Sequence, residues 1–191
     1  MSSRPAEPGP DGRLRCPWAL GSDGYLAYHD EEWGRPVRDD QGLYERLCLE
    51  AFQSGLSWLT ILRKRENFRA AFRGFDMAAV AAFGPDDVAR LLADAGIVRN
   101  RAKIEAAIAN AHAALDLPDG LAALVWKYAD AQRPAPVTLA DVPASTPAAK
   151  ALSTELRRNG FRFTGPVTAY AMMQACGVVN DHLADCCCRE G

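Results

Sequence analysis

"AGIVRNRAKIEAAIANA", running from Ala95 to Ala111, is the stretch on which the fold turns. Upstream of it, Pro85-Asp86-Asp87 opens an amphipathic run that carries Val88, Leu91 and Leu92 and stops at Gly96, as a helix with proline at its start and glycine past its end would. A second amphipathic run follows at once, so the connection from Ile97 to Arg101 has to be tight. The pattern predicts a helix-hairpin-helix near residues 88–112, in which Gly96 permits the sharp turn and the amides opening the second helix can face an anion such as a phosphate. Arg99, Arg101 and Lys103 would then flank that anion. The plainer alternative is an ordinary pair of helices with a basic, solvated face.

Working outward, helix follows helix. After Asp39-Asp40, the residues Leu43, Leu47 and Ala51 recur at helical spacing, widened by Tyr44 and Cys48, up to an end near Gly55. Another run begins about Ser57, with Trp58, Ile61, Leu62, Phe68 and Phe72 as its apolar side. Asp76 opens a short helix, Leu121 to Ala129 forms one more, Thr146-Pro147 opens one that closes at Gly160, and Pro166 to Cys176 is the last. "FRFTG" is an extended link. The predicted class is all-α, in a single domain over residues 15–191 preceded by a disordered tail over 1–14, where Pro, Gly and charges prevail.

A chain of 191 residues can bury a core without covalent staples. Its start has no apolar segment of the secretory kind, and no window approaches the roughly 18 apolar residues of a membrane span. A cytoplasmic protein with no membrane partner is expected, its cysteines reduced. The net charge of -2 argues against indiscriminate coating of nucleic acid. Basic residues nevertheless gather at Arg63, Lys64, Arg65, Arg69 and Arg73, around Arg99, and at Arg157, Arg158 and Arg162.

Near the end, "NDHLADCCCRE" places His182 and Cys186 four residues apart, on one side of a helical turn and suited to two ligands of one tetrahedral ion. The chain has three histidines. In the N-terminal "RCPWALGSDGYLAYHDEEWG", Cys16 and His29 would complete a Cys2His2 set that clips the two ends together. Otherwise these are small buried thiols and a satisfied polar residue, with Cys187 or Cys188 able to substitute.

Two further features ask for a pocket. Trp18, Tyr25, Tyr28 and Trp33 crowd one segment, with Trp58 just past "QSGLS", although such aromatics commonly serve a core. Glu50 sits three residues after Leu47 and seven after Leu43, at the margin of the apolar stripe, where a carboxylate either reaches for water or is poised in a cavity.

The strings "RCPW", "YHDEEWG", "LCLEAFQSGLSWLTILRKRENFRAAFRGFD", "AGIVRNRAKI", "GFRFTGP" and "MMQACGVVNDHLADCCC", in this order, resemble the 3-methyladenine DNA glycosylase I family. The resemblance implies an all-α helix-hairpin-helix DNA glycosylase fold with one structural zinc ion, Zn2+, on Cys16, His29, His182 and Cys186, joining the N- and C-terminal segments. It implies that Glu50 reads a base flipped out of double-stranded DNA while Tyr28 and Trp58 stack on it, among Trp18, Tyr25 and Trp33. It also implies a monomeric, monofunctional hydrolase without the aspartate that related glycosylases use. From position, Gly55 allows close approach to DNA, Leu56 is a candidate wedge, and Lys64 and Lys103 read as DNA contacts. A competing expectation is a non-catalytic zinc-stapled DNA-binding module. A zinc hydrolase is disfavoured, because four protein ligands leave no open position for water.

Overall fold

The computed structural model describes residues 4–130 and 133–189. Nine α-helices carry the described fold: α1 Asp23–Glu31, α2 Asp40–Gln53, α3 Trp58–Ala71, α4 Met77–Ala81, α5 Pro85–Ala93, α6 Arg101–Leu115, α7 Gly120–Trp126, α8 Pro147–Arg158 and α9 Pro166–Ala175. The all-α expectation holds, with one short ladder as an addition: β1, Glu7–Pro8, pairs antiparallel with β2, Leu14–Arg15.

That ladder corrects the disordered tail as far as the described residues reach. Residues 1–3 lie outside them. From Arg4 onward the segment is tied down: Leu139 donates its N–H to the Arg4 carbonyl at 3.1 Å. Arg15, only 3% exposed, is bound by Asp11 and Asp30. The prolines and glycines that look like a solvated tail form a turn instead, anchored by a buried guanidinium.

Helix starts follow the caps visible in the sequence. Asp39 accepts from Gly42 N–H at 2.7 Å to open α2, Ser57 opens α3, Asp76 opens α4 and Thr146 opens α8. Only α7 departs noticeably, closing at Trp126 instead of Ala129. Helix α2 is the axis: α3, α6, α7 and α9 all pack on it. Its Leu43, Tyr44, Leu47, Leu49 and Phe52 are completely enclosed, against Phe68, Phe72 and Phe75. Tyr44 keeps its hydroxyl satisfied at depth by donating to Ala107 O at 2.8 Å.

The chain ends meet beside this core. Cys187 N–H donates to Leu14 O at 2.9 Å, and Leu183 N–H reaches Cys16 Sγ at 3.4 Å. A separate small apolar cluster of Cys16, Leu183 and Cys186 forms there, flanked by Trp18. Cys16, His29, His182 and Cys186 gather at this junction.

Candidate functional site

Four buried donors converge where the chain ends meet. Cys16 and His182 bring Sγ and Nδ1 to 3.9 Å, His182 Nδ1 lies 3.2 Å from His29 Nε2, and Cys186 Sγ is 3.4 Å from His29 and 3.5 Å from His182. All four donor atoms lie within 4.8 Å of one another, a group able to hold a metal ion. His182 and Cys186 do converge, but through a turn in which Cys186 N–H donates to Leu183 O, and not on the helical turn that their spacing suggests.

The outer nitrogens dictate the inner ones. His29 Nδ1 sits 2.8 Å from Asp30 Oδ1, and His182 Nε2 sits 3.0 Å from the Trp33 carbonyl. Asp30, held down to about 2 chiefly by its hydrogen bonds from Arg15, is an acceptor, as is a carbonyl. Each imidazole therefore carries its hydrogen on the outside and turns a lone pair inward. Two lone pairs facing each other at 3.2 Å repel unless a cation lies between them. Hydrogen bonding to Cys16, then to the imidazoles, also pulls the Cys186 thiol far below its ordinary range. Gly34 shields the cluster: at φ +81, a Cβ there would stand 2.8 Å from His182 Nε2.

Aromatic rings cover the other side of these imidazoles. Trp33 packs edge-on against His182 at 4.7 Å between centroids and against Trp18 at 5.0 Å. Beyond Trp18 opens a cavity of about 350 Å³, walled by Trp18, Tyr25, Tyr28, Trp33 and Trp58 with Glu50. The five aromatics singled out in the sequence and the glutamate thus share one pocket, within the usual volume of about 300–1,000 Å³ for a small-ligand site. Tyr25 is pinned by accepting Leu59 N–H at 3.1 Å, and Tyr28 meets Trp58 at 5.5 Å between centroids.

Glu50 is 6% exposed, and no described residue hydrogen-bonds its carboxyl. Burial, offset in part by Arg46, pushes it up to about 8, so that in the free protein it carries a proton at neutral pH. A buried carboxyl left without a partner and opening on a cavity is a group kept for a ligand. Sequence reasoning missed Gln53, Gln174 and Asp181, which also line the cavity. It likewise missed Asp30 and Arg15 behind the four-donor group. Asp30 directly after His29 in "YHDEEWG" and Arg15 directly before Cys16 in "RCPW" were the available signal.

Between Gln53 and Trp58 of the cavity wall, the loop "QSGLSW" holds Gly55 at φ +84 and Leu56 at 42% exposure. Arg99 and Arg101 are exposed, Arg101 within 3.5 Å of Glu105.

Two lysines are not where the sequence put them. Lys103 is 7% exposed and donates to Phe52 O at 2.9 Å and Ser54 O at 2.7 Å, the last carbonyls of α2, a placement that suits a cation at a helix C-terminus. Lys64 donates to the carbonyls of Ala95 and Gly96. Each ammonium spends two of its three donors on backbone carbonyls. Gly96 does lie in the tight turn after α5, with a φ that is not left-handed and its N–H taken by Asp94 Oδ1 at 2.7 Å. Glycine is needed because a Cβ would stand 3.1 Å from Asn67. We expect Lys103→Met to lower stability by about 1–3 kcal/mol, by stripping the buried Phe52 carbonyl and the neighbouring Ser54 carbonyl of their donor. The salt dependence of DNA binding should stay at the parent slope, and paired denaturation curves and binding isotherms check both.

A helical protein whose chain ends close a buried four-donor group able to hold a metal ion, beside an aromatic pocket with a buried carboxyl, belongs among ligand-binding or catalytic folds. The chain is a member of the methyladenine glycosylase family, whose model matches residues 18–190. It is 47% identical over 182 residues to the DNA-3-methyladenine glycosylase 1 of Escherichia coli K12, a match covering 93% of this chain and 97% of that one. A crystal structure of 3-methyladenine DNA glycosylase I resembles it with a TM-score of 0.88 at 46% identity, over 92% of this chain and 99% of that one. A single-residue variant of such an enzyme, solved in complex with 3-methyladenine, gives a TM-score of 0.85 at 33% identity over 92% and 97% of the two chains.

Proposed function

We infer that the protein excises 3-methyladenine from alkylated DNA by hydrolysing the N-glycosidic bond, leaving an abasic site and an intact strand. The observation that carries this reading is the unpartnered Glu50 carboxyl buried in an aromatic cavity. Methylation at N3 makes the attached adenine cationic. Electron-rich faces of Tyr28 and Trp58 attract such a ring, and its approach favours the ionised form of Glu50, whose oxygens accept from the exocyclic amine. The cation is also a good leaving group. The bond from sugar to base breaks with its electron pair passing to the base, which departs neutral, while water adds to the sugar carbon and its proton passes to solvent. The pocket's work is to bind that polarised state. No lysine lines the cavity among the described residues, so strand cleavage through an imine has no amine at hand.

The four-donor group fits zinc. A tetrahedral ion with bonds of about 2.0 Å to nitrogen and 2.3 Å to sulfur spaces its ligands about 3.3–3.8 Å apart. Four of the six separations here lie between 3.2 and 3.9 Å, and all six are within 4.8 Å. Cys16, His29, His182 and Cys186 would hold one Zn2+ with no open position, so the ion would stabilise the junction and leave the chemistry to the pocket.

Double-stranded DNA would meet the face carrying the pocket mouth. Leu56, raised on Gly55, is the candidate wedge for the vacated stack, and Arg99 and Arg101 the candidate phosphate contacts of the hairpin between α5 and α6. Reversing both arginines to glutamate should weaken binding to any DNA sequence and cut the salt-dependence slope by about 2. Isotherms at several salt concentrations that overlay the parent's would place the DNA elsewhere. A non-catalytic binder has no use for a base pocket. Release of free 3-methyladenine from alkylated duplex DNA, resolved by chromatography, separates the two; intact DNA after prolonged incubation would overturn the excision reading.

A further inference from the structure

We propose that Gln174 is a second hydrogen-bond acceptor in the wall of the base pocket, locked into that role by Asp181, and that it favours bases presenting an electropositive, donor-bearing edge. The proposal rests on the excision reading and deepens it by naming a determinant of base selectivity.

Gln174 and Asp181 both line the cavity that holds Glu50. Asp181 has no exposed side-chain surface. Its Oδ2 accepts from Gln174 Nε2 at 2.8 Å and from the Tyr170 hydroxyl, while the Arg133 guanidinium lies 3.1 Å from Oδ1. The arginine and the two donors compensate for the burial of the carboxylate charge. Oδ2 accepts from the Tyr170 hydroxyl and Oδ1 faces the Arg133 guanidinium, so the side chain is set as an acceptor and Gln174 turns its NH2 toward it. The orientation of the amide, ordinarily ambiguous between oxygen and nitrogen, is decided here by chemistry.

The consequence falls on the other end of the amide. No described residue donates to Gln174 Oε1. Gln174 lies three residues after Ala171 on α9, and both belong to the cavity wall, so the negative end of the amide dipole belongs to the surface a bound base meets. An acceptor that cannot rotate into a donor discriminates. It attracts an amine or a cationic ring edge and repels a ring nitrogen carrying a lone pair, which unmodified adenine has at the very position that N3-methylation blocks. Specificity of this kind comes from an unfavourable contact with the wrong base as much as from a favourable one with the right base. Tyr170 and Arg133 hold Asp181 so that the lock persists when the pocket is empty. Asp181 is a positioning residue, while Gln174 would touch the base.

Gln174→Met keeps the length of the side chain and removes the acceptor. Its test has two readouts: single-turnover release of 3-methyladenine from alkylated duplex DNA, and the ratio of affinities for free 3-methyladenine and adenine, followed by quenching of the pocket tryptophans. We expect release to fall about 10- to 100-fold, in the range of a lost polar contact at a reacting centre, and the affinity ratio to fall with it. Asp181→Asn, which lets the amide turn over, should lower the same ratio with Gln174 unchanged. If release falls while the ratio stays at the parent value, Gln174 is only structural and the proposal is overturned. Parent-like release and ratio also overturn it. Should Asp181→Asn fail to fold, Gln174→Met still decides the matter. A parent protein that releases no 3-methyladenine defeats the excision reading itself, a result distinguishable from either of these.

Discussion

Glu50→Gln is expected to lower single-turnover excision of 3-methyladenine about 10- to 1000-fold, or ~1.4 to 4 kcal/mol, as for loss of a charged hydrogen bond to a reacting group. The substitution keeps the size of the side chain and one acceptor. It removes the ability to become negative when a cationic base arrives, and it adds an NH2 that faces the exocyclic amine of the base. Tyr28→Ala and Trp58→Ala offer a check of opposite emphasis, because they remove stacking surface and leave the carboxyl in place. Both should weaken inhibition by free 3-methyladenine. Excision at the parent rate by Glu50→Gln would take the residue out of the site.

The same variant has a second signature, in stability. Burial raises Glu50 to about 8 in the folded protein, whereas in the unfolded chain it titrates near its ordinary 4.5. Between those values the unfolded state binds fewer protons than the folded one, so this group makes stability fall as pH rises. At pH 4 the carboxyl is protonated in both states and contributes no difference. At pH 8 the parent pays for a partly ionised, buried and unpartnered group, and Glu50→Gln does not. The variant should therefore melt above the parent at pH 8 and close to it at pH 4. A melting temperature lower than the parent's at both values would make Glu50 a structural carboxylate. The trade is one familiar at functional sites, where a group held ready for a ligand costs stability in its absence.

Much of this molecule was legible before any coordinates. Apolar spacing and start signals locate α2, α3, α5, α8 and α9: α2, α3 and α8 begin after Asp39, Ser57 and Thr146, whose side chains accept the first amides, and α5 and α9 begin at a proline. Helix α1 lacks such a stripe, since its tyrosines face the pocket and His29 faces the metal-binding group, so periodicity is silent there. The four donors could be named from residue type and spacing, since few other combinations exist in a chain with three histidines. Charged side chains were the least readable. Lys64 and Lys103 look like phosphate contacts on a basic surface, yet both ammonium groups end on backbone carbonyls of a neighbouring segment. Sequence gives the sign of such a charge and not its direction, and the long stem of a lysine lets it reach an unsatisfied carbonyl several ångströms from its own helix. The same limit hid Gln174 and Asp181, whose roles depend on an amide and a carboxylate meeting across two elements.

Substitution of Cys16 by alanine is expected to cost well over the ~1 kcal/mol of an average replacement, because it removes one donor of the candidate zinc site and the tie between the chain ends together. The purified parent should carry one zinc per chain, and the alanine variant clearly less. Chelation should lower the melting temperature of the parent toward that of Cys16→Ala and leave the variant nearly unmoved, since binding to the folded state alone stabilises by mass action. Loss of the ion would leave the inward lone pairs of His29 and His182 facing each other at 3.2 Å, so the imidazoles must either take up a proton or move apart. Either response disturbs Trp33, whose carbonyl holds His182 and whose ring packs on Trp18 in the pocket wall. The metal-depleted protein should therefore lose affinity for 3-methyladenine before it unfolds, although the ion itself touches no substrate. Full zinc removal with unchanged melting and unchanged base binding would reduce the four residues to an incidental cluster.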